Sequence, residues 1–401
     1  MFNSLKFKVI LFGFIFTFFS SFGQSYFLGL FNSSIREALS ITHGQFGSIY
    51  ASATLCSSLL LIWVGKKIDD VNIFKFALFV IILLSFACFF FSKVSSVLLL
   101  FIAIFLMRFS GQGMMSHTAS TTISRYFTKT RGRALSISWF GLSSAEFIMP
   151  VLMVYLLTII DWQNLWLIFS ITVLIILPIA SFLLIKNLNL DSREDSNKDI
   201  KEVEIKQWKR AEVIQDYRFY IISSNMLAMP WIFTGFAVFQ SFIQTSKGWG
   251  PYVIAQSFMS YSIFSVLTLF LSGFLIDKFT SRKLLIYMNI PLLLSVIVLF
   301  FFDTPVTAFI FLGLVGISNG FANILGSSTW AELYGVKYLG SIKALTTALM
   351  VFATAFGTAL FGYLIDIGFS VGDIAVVSGS YIFISLILLF LVRKKLNPVI
   401  I

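Results

Sequence analysis

Long uncharged stretches alternate with short charged ones along the whole chain. Uncharged runs cover 9–35, 38–65, 76–92, 162–185, 219–246, 248–276, 284–302, 304–331, 344–365 and 374–392. Two more, 94–124 and 134–160, are each interrupted once, by Arg108 and Glu146. Each of these twelve runs is near the ~20 residues that a helix needs to cross the hydrocarbon core of a bilayer. In lipid, every backbone polar group must be satisfied within the segment, so the runs predict helices. A membrane β-barrel would instead show alternating segments of about ten residues. The pattern therefore predicts an all-α membrane protein with twelve transmembrane helices, in contact with the lipid bilayer.

Composition agrees. Of 401 residues, 58% are hydrophobic and 12% charged, against roughly 25% charged in a soluble domain. The 48 phenylalanines are spread over nearly every run and read as lipid-facing and core filler. The net charge of +11 would point to nucleic acid in a soluble protein. Here topology explains it. Of the 29 basic residues, all but Arg36, Lys93, Lys247 and the intramembrane Arg108 fall in segments on one side. The positive-inside rule then places both termini in the cytoplasm, in a multi-pass protein of the plasma (inner) membrane. No nucleic-acid partner is expected. Cys56 and Cys88 lie within runs and read as small packing residues, not a disulfide or metal site. The first run is too long for a signal-peptide core and is expected to stay as the first helix.

One long polar segment divides the chain. Residues 187–216 form a linker between an N-terminal bundle (1–186) and a C-terminal bundle (217–401), each with six helices; its composition predicts partial disorder. Its end, around Ile205 and Trp208, is amphipathic enough to lie on the membrane surface. The halves echo one another. Gly65, Asp69 and Gly132 recur at one common offset as Gly273, Asp277 and Gly340. Parallel six-helix repeats are a transporter architecture, with the substrate site near the midplane between the halves.

These residues resemble the major facilitator superfamily. Its signature loop between the second and third helices is similar to Gly273-Phe274-Leu275-Ile276-Asp277-Lys278-Phe279-Thr280-Ser281-Arg282-Lys283. The first copy, Gly65-Lys66-Lys67-Ile68-Asp69-Asp70-Val71-Asn72, keeps the Gly and Asp but has Asp70 in place of a basic residue and Asn72 in place of the second Gly. The stretch Arg125-Tyr126-Phe127-Thr128-Lys129-Thr130-Arg131-Gly132-Arg133-Ala134 resembles a loop of the monocarboxylate and oxalate/formate branch. So do Arg108-Phe109-Ser110-Gly111-Gln112-Gly113 and Trp208-Lys209-Arg210-Ala211-Glu212-Val213. The resemblance implies two pseudo-symmetric six-helix bundles. It also implies a cavity lined by helices one, four, seven and ten, and a cytoplasmic latch.

The physics of the latch stands without the name. Glycine at a tight turn allows positive φ and close approach. A carboxylate at Asp69 or Asp277 can meet a helix N-terminus or a nearby cation. The expected cytoplasmic gate comprises Gly65, Asp69, Arg125, Arg131, Arg133, Gly273, Asp277, Lys278 and Arg282. Arg125, Arg131 or Arg133 would be the partner of Asp69. Solvated topology markers are the other reading.

No catalytic constellation is present. There is no P-loop, no paired metal ligands and no Gly-x-Ser-x-Gly elbow, and the histidines are His43 and His117 alone. The chain is therefore read as no enzyme, without a cofactor, and driven by ion or solute gradients. Its informative residues are the ionisable groups inside helices, each costing at least ~2.5 kcal/mol at the bilayer centre. In an α-helix Arg108, Gln112 and Met115 share a face. A guanidinium fork suits a carboxylate, so Arg108 either binds an anionic substrate or is structural, bonded to carbonyls or acting in proton coupling. Glu146, shortly before Pro150, is either a coupling carboxylate, neutral when buried and ionised when wetted, or a packing residue paired with a polar group of the fourth helix. His117 points away from Arg108 and reads as structural.

Further candidates for substrate binding are Gln24 and Tyr26 on the first helix, Trp231 and Thr234 on the seventh, and Asn319 and Asn323 on the tenth. The asparagines are spaced to share a face. Pro230 is expected to break the seventh helix at depth and expose carbonyls. Interhelical hydrogen bonding is the alternative for each of these residues. The expected function is secondary transport of a small organic anion such as a monocarboxylate, by alternating access and coupled to protons, in a monomer. An exporter of cationic amphiphiles using Glu146 is one rival; a transport-inactive receptor on the same scaffold is another.

Overall fold

The computed structural model describes residues 5–127, 130–186 and 206–398. Among them, twelve helices are long and apolar enough to cross a membrane. In the first half these are α1 (Leu5–Gly29), α2 (His43–Ile68), α3 (Ile73–Phe91), α4 (Val97–Tyr126), α5 (Gly132–Leu156) and α6 (Trp162–Ile185). In the second they are α7 (Tyr217–Val238), α8 (Val253–Ile276), α9 (Ser281–Phe301), α10 (Pro305–Tyr334), α11 (Leu339–Asp366) and α12 (Val371–Lys395). The chain divides into two units, Met1–Asp199 and Ile200–Ile401. Linker residues 187–205, including Ile205, lie outside the described residues, as do Thr128 and Lys129.

The internal repeat is visible in the packing. In the first unit α1 packs on α5, α2 on α4 and α3 on α6. In the second, α7 packs on α11, α8 on α10 and α9 on α12, the same pairings six helices on. Close approach uses the same device twice. A methyl group on Gly141 of α5 would collide with the Phe14 carbonyl of α1, and one on Gly357 of α11 with the Trp231 carbonyl of α7. Hydrogen bonds add to this packing. Ser85 of α3 and Ser170 of α6 donate reciprocally to each other's carbonyl oxygens, at 2.9 and 2.8 Å. With apolar tails outside, such contacts and small-residue packing drive association.

Several expectations are corrected. Helix α1 is interrupted: a 3-10 turn over Ser21–Gly23 leads to an extended Gln24 (φ −80°, ψ 151°) before the helix resumes at Ser25. Helix α7, in contrast, runs unbroken through Pro230 to Val238; a single proline removes one backbone bond without ending a well-packed helix. Cys88 is buried as expected, but Cys56 is exposed. The motif glycines need no special backbone: Gly65 is right-handed helical (φ −57°), and a Cβ at Gly132, Gly273 or Gly340 would meet open space. The tight turn before α9 is made by Thr280 at φ 69°.

Trp208 does not lie free on a surface. Its amide donates to the Tyr334 carbonyl at 3.0 Å, and its ring packs on the Tyr334 ring with centroids 5.4 Å apart. That carbonyl is one of the last four of α10, which have no partner within the helix.

Candidate functional site

The deep polar cluster of the first unit forms where two helices lose regularity together. Residues Arg108–Met115 of α4 are π-helical, a rare geometry that marks functional positions. The π segment lies against the interruption in α1. A Cβ on Gly111 would fall 2.6 Å from the Gly23 nitrogen, and one on Gly23 would overlap the Gln112 nitrogen and the Met107 carbonyl. Only two glycines permit this backbone-on-backbone contact.

The contact places Arg108, 3% exposed, against the break. Its Nη1 donates to the freed Gly23 carbonyl at 3.0 Å and to Ser25 Oγ at 3.2 Å. The guanidinium lies over the Tyr50 ring, 5.3 Å from the centroid. Tyr50 in turn donates to Ser25 Oγ at 3.0 Å. Arg108 Nε is buried without a hydrogen-bond partner among the described residues. Among the described residues Arg108 forms no ion pair: its contacts are a carbonyl, a hydroxyl and a ring face.

Glu146 of α5 is buried and lies within electrostatic reach of the Tyr26 phenol. Among the described residues it forms no hydrogen bond or ion pair, so the expected pairing with α4 is not made. Gln24 and Gln112 are partly buried beside the break and in the π segment. Met115 leaves the Arg108 face, because the wider π turn does not keep the α-helical repeat. His117 bonds the Gly65 carbonyl at 3.0 Å, fastening α4 to the end of α2.

The second-unit candidates are more dispersed. Trp231 is buried in an aromatic nest with Phe356, Phe361 and Tyr381. Thr234 is buried one turn on. Asn319 Nδ2 donates to Ser265 Oγ of α8 at 2.9 Å, and Asn323 is exposed.

Of the gate residues, the side chains of Asp69, Arg131 and Asp277 lie outside the described part of the structure. Arg125 Nη1 donates to the Ile68 carbonyl at 3.1 Å, and Arg133 is exposed. Lys278 lies over the neighbouring Phe279 ring. Arg282 Nη1 donates to the Leu396 carbonyl and to Asn397 Oδ1, at 3.2 and 2.9 Å. Glu332 is a carboxylate that meets the N-terminus of α9. It accepts from the amides of Ser281 and Arg282, at 2.8 and 3.3 Å, where a negative charge is favoured.

Sequence reasoning missed Ser25 and Tyr50, which are ordinary helix residues until α1 breaks. The signal for the break was the Gly23-Gln24 step inside an apolar run. It also missed an ion pair at the start of α7. Arg218 Nη2 lies 2.7 Å from Asp216 Oδ2, and Tyr334 Oη donates to the same oxygen at 3.2 Å.

Comparisons with known proteins agree with this architecture. The model of the Major Facilitator Superfamily matches residues 13–259. Among solved structures, a bacterial homologue of the human lysosomal transporter Spinster, inward-facing and unoccupied, superposes with TM-score 0.73 at 14% identity, covering 98% of each chain. The nucleoside transporter NupG superposes with TM-score 0.71 at 13% identity, over 98% of this chain and 99% of the other. No curated protein matches by sequence. With twelve membrane helices in two repeated six-helix units, and a family model matching more than half its length, this chain belongs to the major facilitator superfamily of membrane transporters.

Proposed function

We propose that this transporter carries a small organic anion of the monocarboxylate type by alternating access, coupled to protons. The observation that supports it is Arg108. A buried guanidinium that among the described residues is bonded to a carbonyl, a hydroxyl and a ring face has no counter-ion there, and a buried charge without a counter-ion is costly. A substrate carboxylate would supply the missing partner. Glu146, a buried carboxyl without a cation beside it, is the group to exchange the coupling proton. The loop 125–134 and the Arg108–Gly113 segment favour the monocarboxylate and oxalate/formate branch. In this reading the protein sits in the plasma (inner) membrane with both termini cytoplasmic, and acts as a monomer.

The test is uptake into proteoliposomes. Labelled lactate or pyruvate should accumulate when the outside is acidified and stop when a protonophore collapses the gradient. Glu146 also favours a second reading, export of a cationic amphiphile that would neutralise it. Efflux of a cationic dye with no anion uptake would establish that reading and overturn the first. No flux of either would leave a transport-inactive receptor.

A further inference from the structure

The second unit carries a large groove that neither the Arg108 cluster nor the transport reading uses. It lies between α9 and α12, at the ends where the basic residues gather, and has a volume of about 850 Å³. Ligand pockets typically span about 300–1,000 Å³. Its two ends differ sharply in chemistry. Arg282, Lys283, Arg393 and Lys394 line one end. Ile290, Leu293, Phe383 and Ile387 line the rest. Ile290, Phe383 and Ile387 are all exposed, on faces that meet lipid in a membrane.

The cations are not spent on protein carboxylates. Among the described residues, Lys283, Arg393 and Lys394 form no ion pair, and all three are exposed. Arg393 sits over the Phe390 ring, 3.5 Å from its centroid, and both residues line the groove. Arg282 is held at the rim by the Leu396 carbonyl and Asn397 Oδ1. Leu396 is buried, so the C-terminal segment closes the polar end. Tyr287, more than half exposed, stands at the junction of the two ends, where amphipathic aromatics settle in membranes.

We propose that this groove is a binding site for an anionic glycerophospholipid, with the phosphate among the four cations and an acyl chain along the Ile290–Phe383 floor. Charge complementarity selects the headgroup, as basic pockets between membrane helices do. The apolar floor selects a lipid over a free anion, which would leave that surface unused. The site is independent of the central cluster and of what the protein transports.

The test uses full-length protein, delipidated in a neutral detergent, with retained lipid counted by native mass spectrometry. One phosphatidylglycerol should be retained in preference to phosphatidylcholine. Each surface cation contributes about fivefold in affinity. The triple variant Lys283→Gln/Arg393→Gln/Lys394→Gln should therefore bind phosphatidylglycerol about a hundredfold more weakly. The charge-keeping variant Lys283→Arg/Arg393→Lys/Lys394→Arg should retain it. If the neutral variant fails to insert, Ile290→Trp serves instead, since it fills the floor and leaves every charge in place; it should lose lipid retention. Equal retention of phosphatidylcholine, undiminished retention by either groove variant, or displacement of the lipid by equimolar inorganic phosphate would each overturn the assignment.

Discussion

The Arg108 guanidinium donates to the carbonyl of Gly23, a group that becomes available only because α1 is interrupted there. One side chain on α4 thereby stabilises a break in α1, while its buried Nε has no hydrogen-bond partner among the described residues. The structural role is thus visible in Nη1, which holds the helix break; the anion-binding role remains the proposal that substitution tests.

The two roles separate by substitution. Arg108→Ala leaves the Gly23 carbonyl without this donor, a loss of about 1–3 kcal/mol for an orphaned buried group, while Ser25 keeps the bond from Tyr50. It should lower the thermal unfolding temperature in detergent and abolish anion uptake. Arg108→Lys keeps the charge and can still reach one acceptor, but lacks the planar fork. Stability should be largely retained and the KM for the anion should rise at least about tenfold, the scale of one charge-assisted hydrogen bond. An unchanged KM in Arg108→Lys, measured in proteoliposomes, would remove Arg108 from the substrate site.

The contact between Gly23 and Gly111 makes a stability prediction that does not depend on substrate. Gly23→Ala forces a methyl group into the α4 backbone, which cannot retreat as a side-chain tip would. Overpacking of this kind costs about 1–3 kcal/mol or more, so the unfolding temperature should fall. Gly132→Ala meets nothing within 4 Å and lies in the first turn of α5, where alanine is the better helix former by up to about 1 kcal/mol. It should be neutral or slightly stabilising. Equal effects of the two would mean that the close contact contributes nothing.

The contrast between these glycines also marks what the sequence made legible. Twelve apolar runs and the repeated Gly65/Asp69 and Gly273/Asp277 pairs were enough for the helix count and the six-plus-six repeat, because helix length and backbone satisfaction in lipid leave few alternatives. Arg108 and Glu146 stood out because charge inside a run is costly. What surrounds them was not legible. The π turn at Arg108–Met115 and the extended Gln24 are consequences of two helices meeting, and neither run carries a proline at that place. The one proline that invited a break, Pro230, sits in a continuous helix whose neighbours hold it. Glu332, far from the signature loop in sequence, reaches the start of α9 only through tertiary packing.

Glu146 is expected to separate coupling from binding. Glu146→Gln keeps the shape of the buried side chain but cannot exchange a proton. Proton-driven accumulation should be lost, while exchange of labelled for unlabelled anion at equal pH on both sides continues within about threefold of the wild-type rate, less than the 1.4 kcal/mol of a tenfold change. The measurement is a paired uptake and counterflow assay on the same vesicles. Persistent accumulation against a gradient would place the coupling proton elsewhere.

The C-terminal segment of the second unit is held by two arginines, Arg282 and Arg218, and Arg218 faces two ways. Arg218 pairs with Asp216 through Nε and Nη2, at 2.8 and 2.7 Å, and donates from Nη1 to the Asn397 carbonyl at 2.8 Å. Asp216 also accepts from Tyr334 Oη at the end of α10 and from the Arg218 amide. The start of α7, the end of α10 and the segment at Asn397 therefore share one polar centre. Arg218→Gln removes the charge-assisted bonds, worth about 1.5–3 kcal/mol each, and leaves Asn397 its contact with Arg282. It should lower the unfolding temperature and speed carboxypeptidase trimming of the C-terminus. Asp216→Asn should destabilise as well, because it leaves the guanidinium half-paired. The double variant should cost less than the sum of the singles, since each single change already breaks the shared pair. Strict additivity, or trimming no faster in Arg218→Gln than in the parent, would mean that the C-terminal segment is anchored by other contacts.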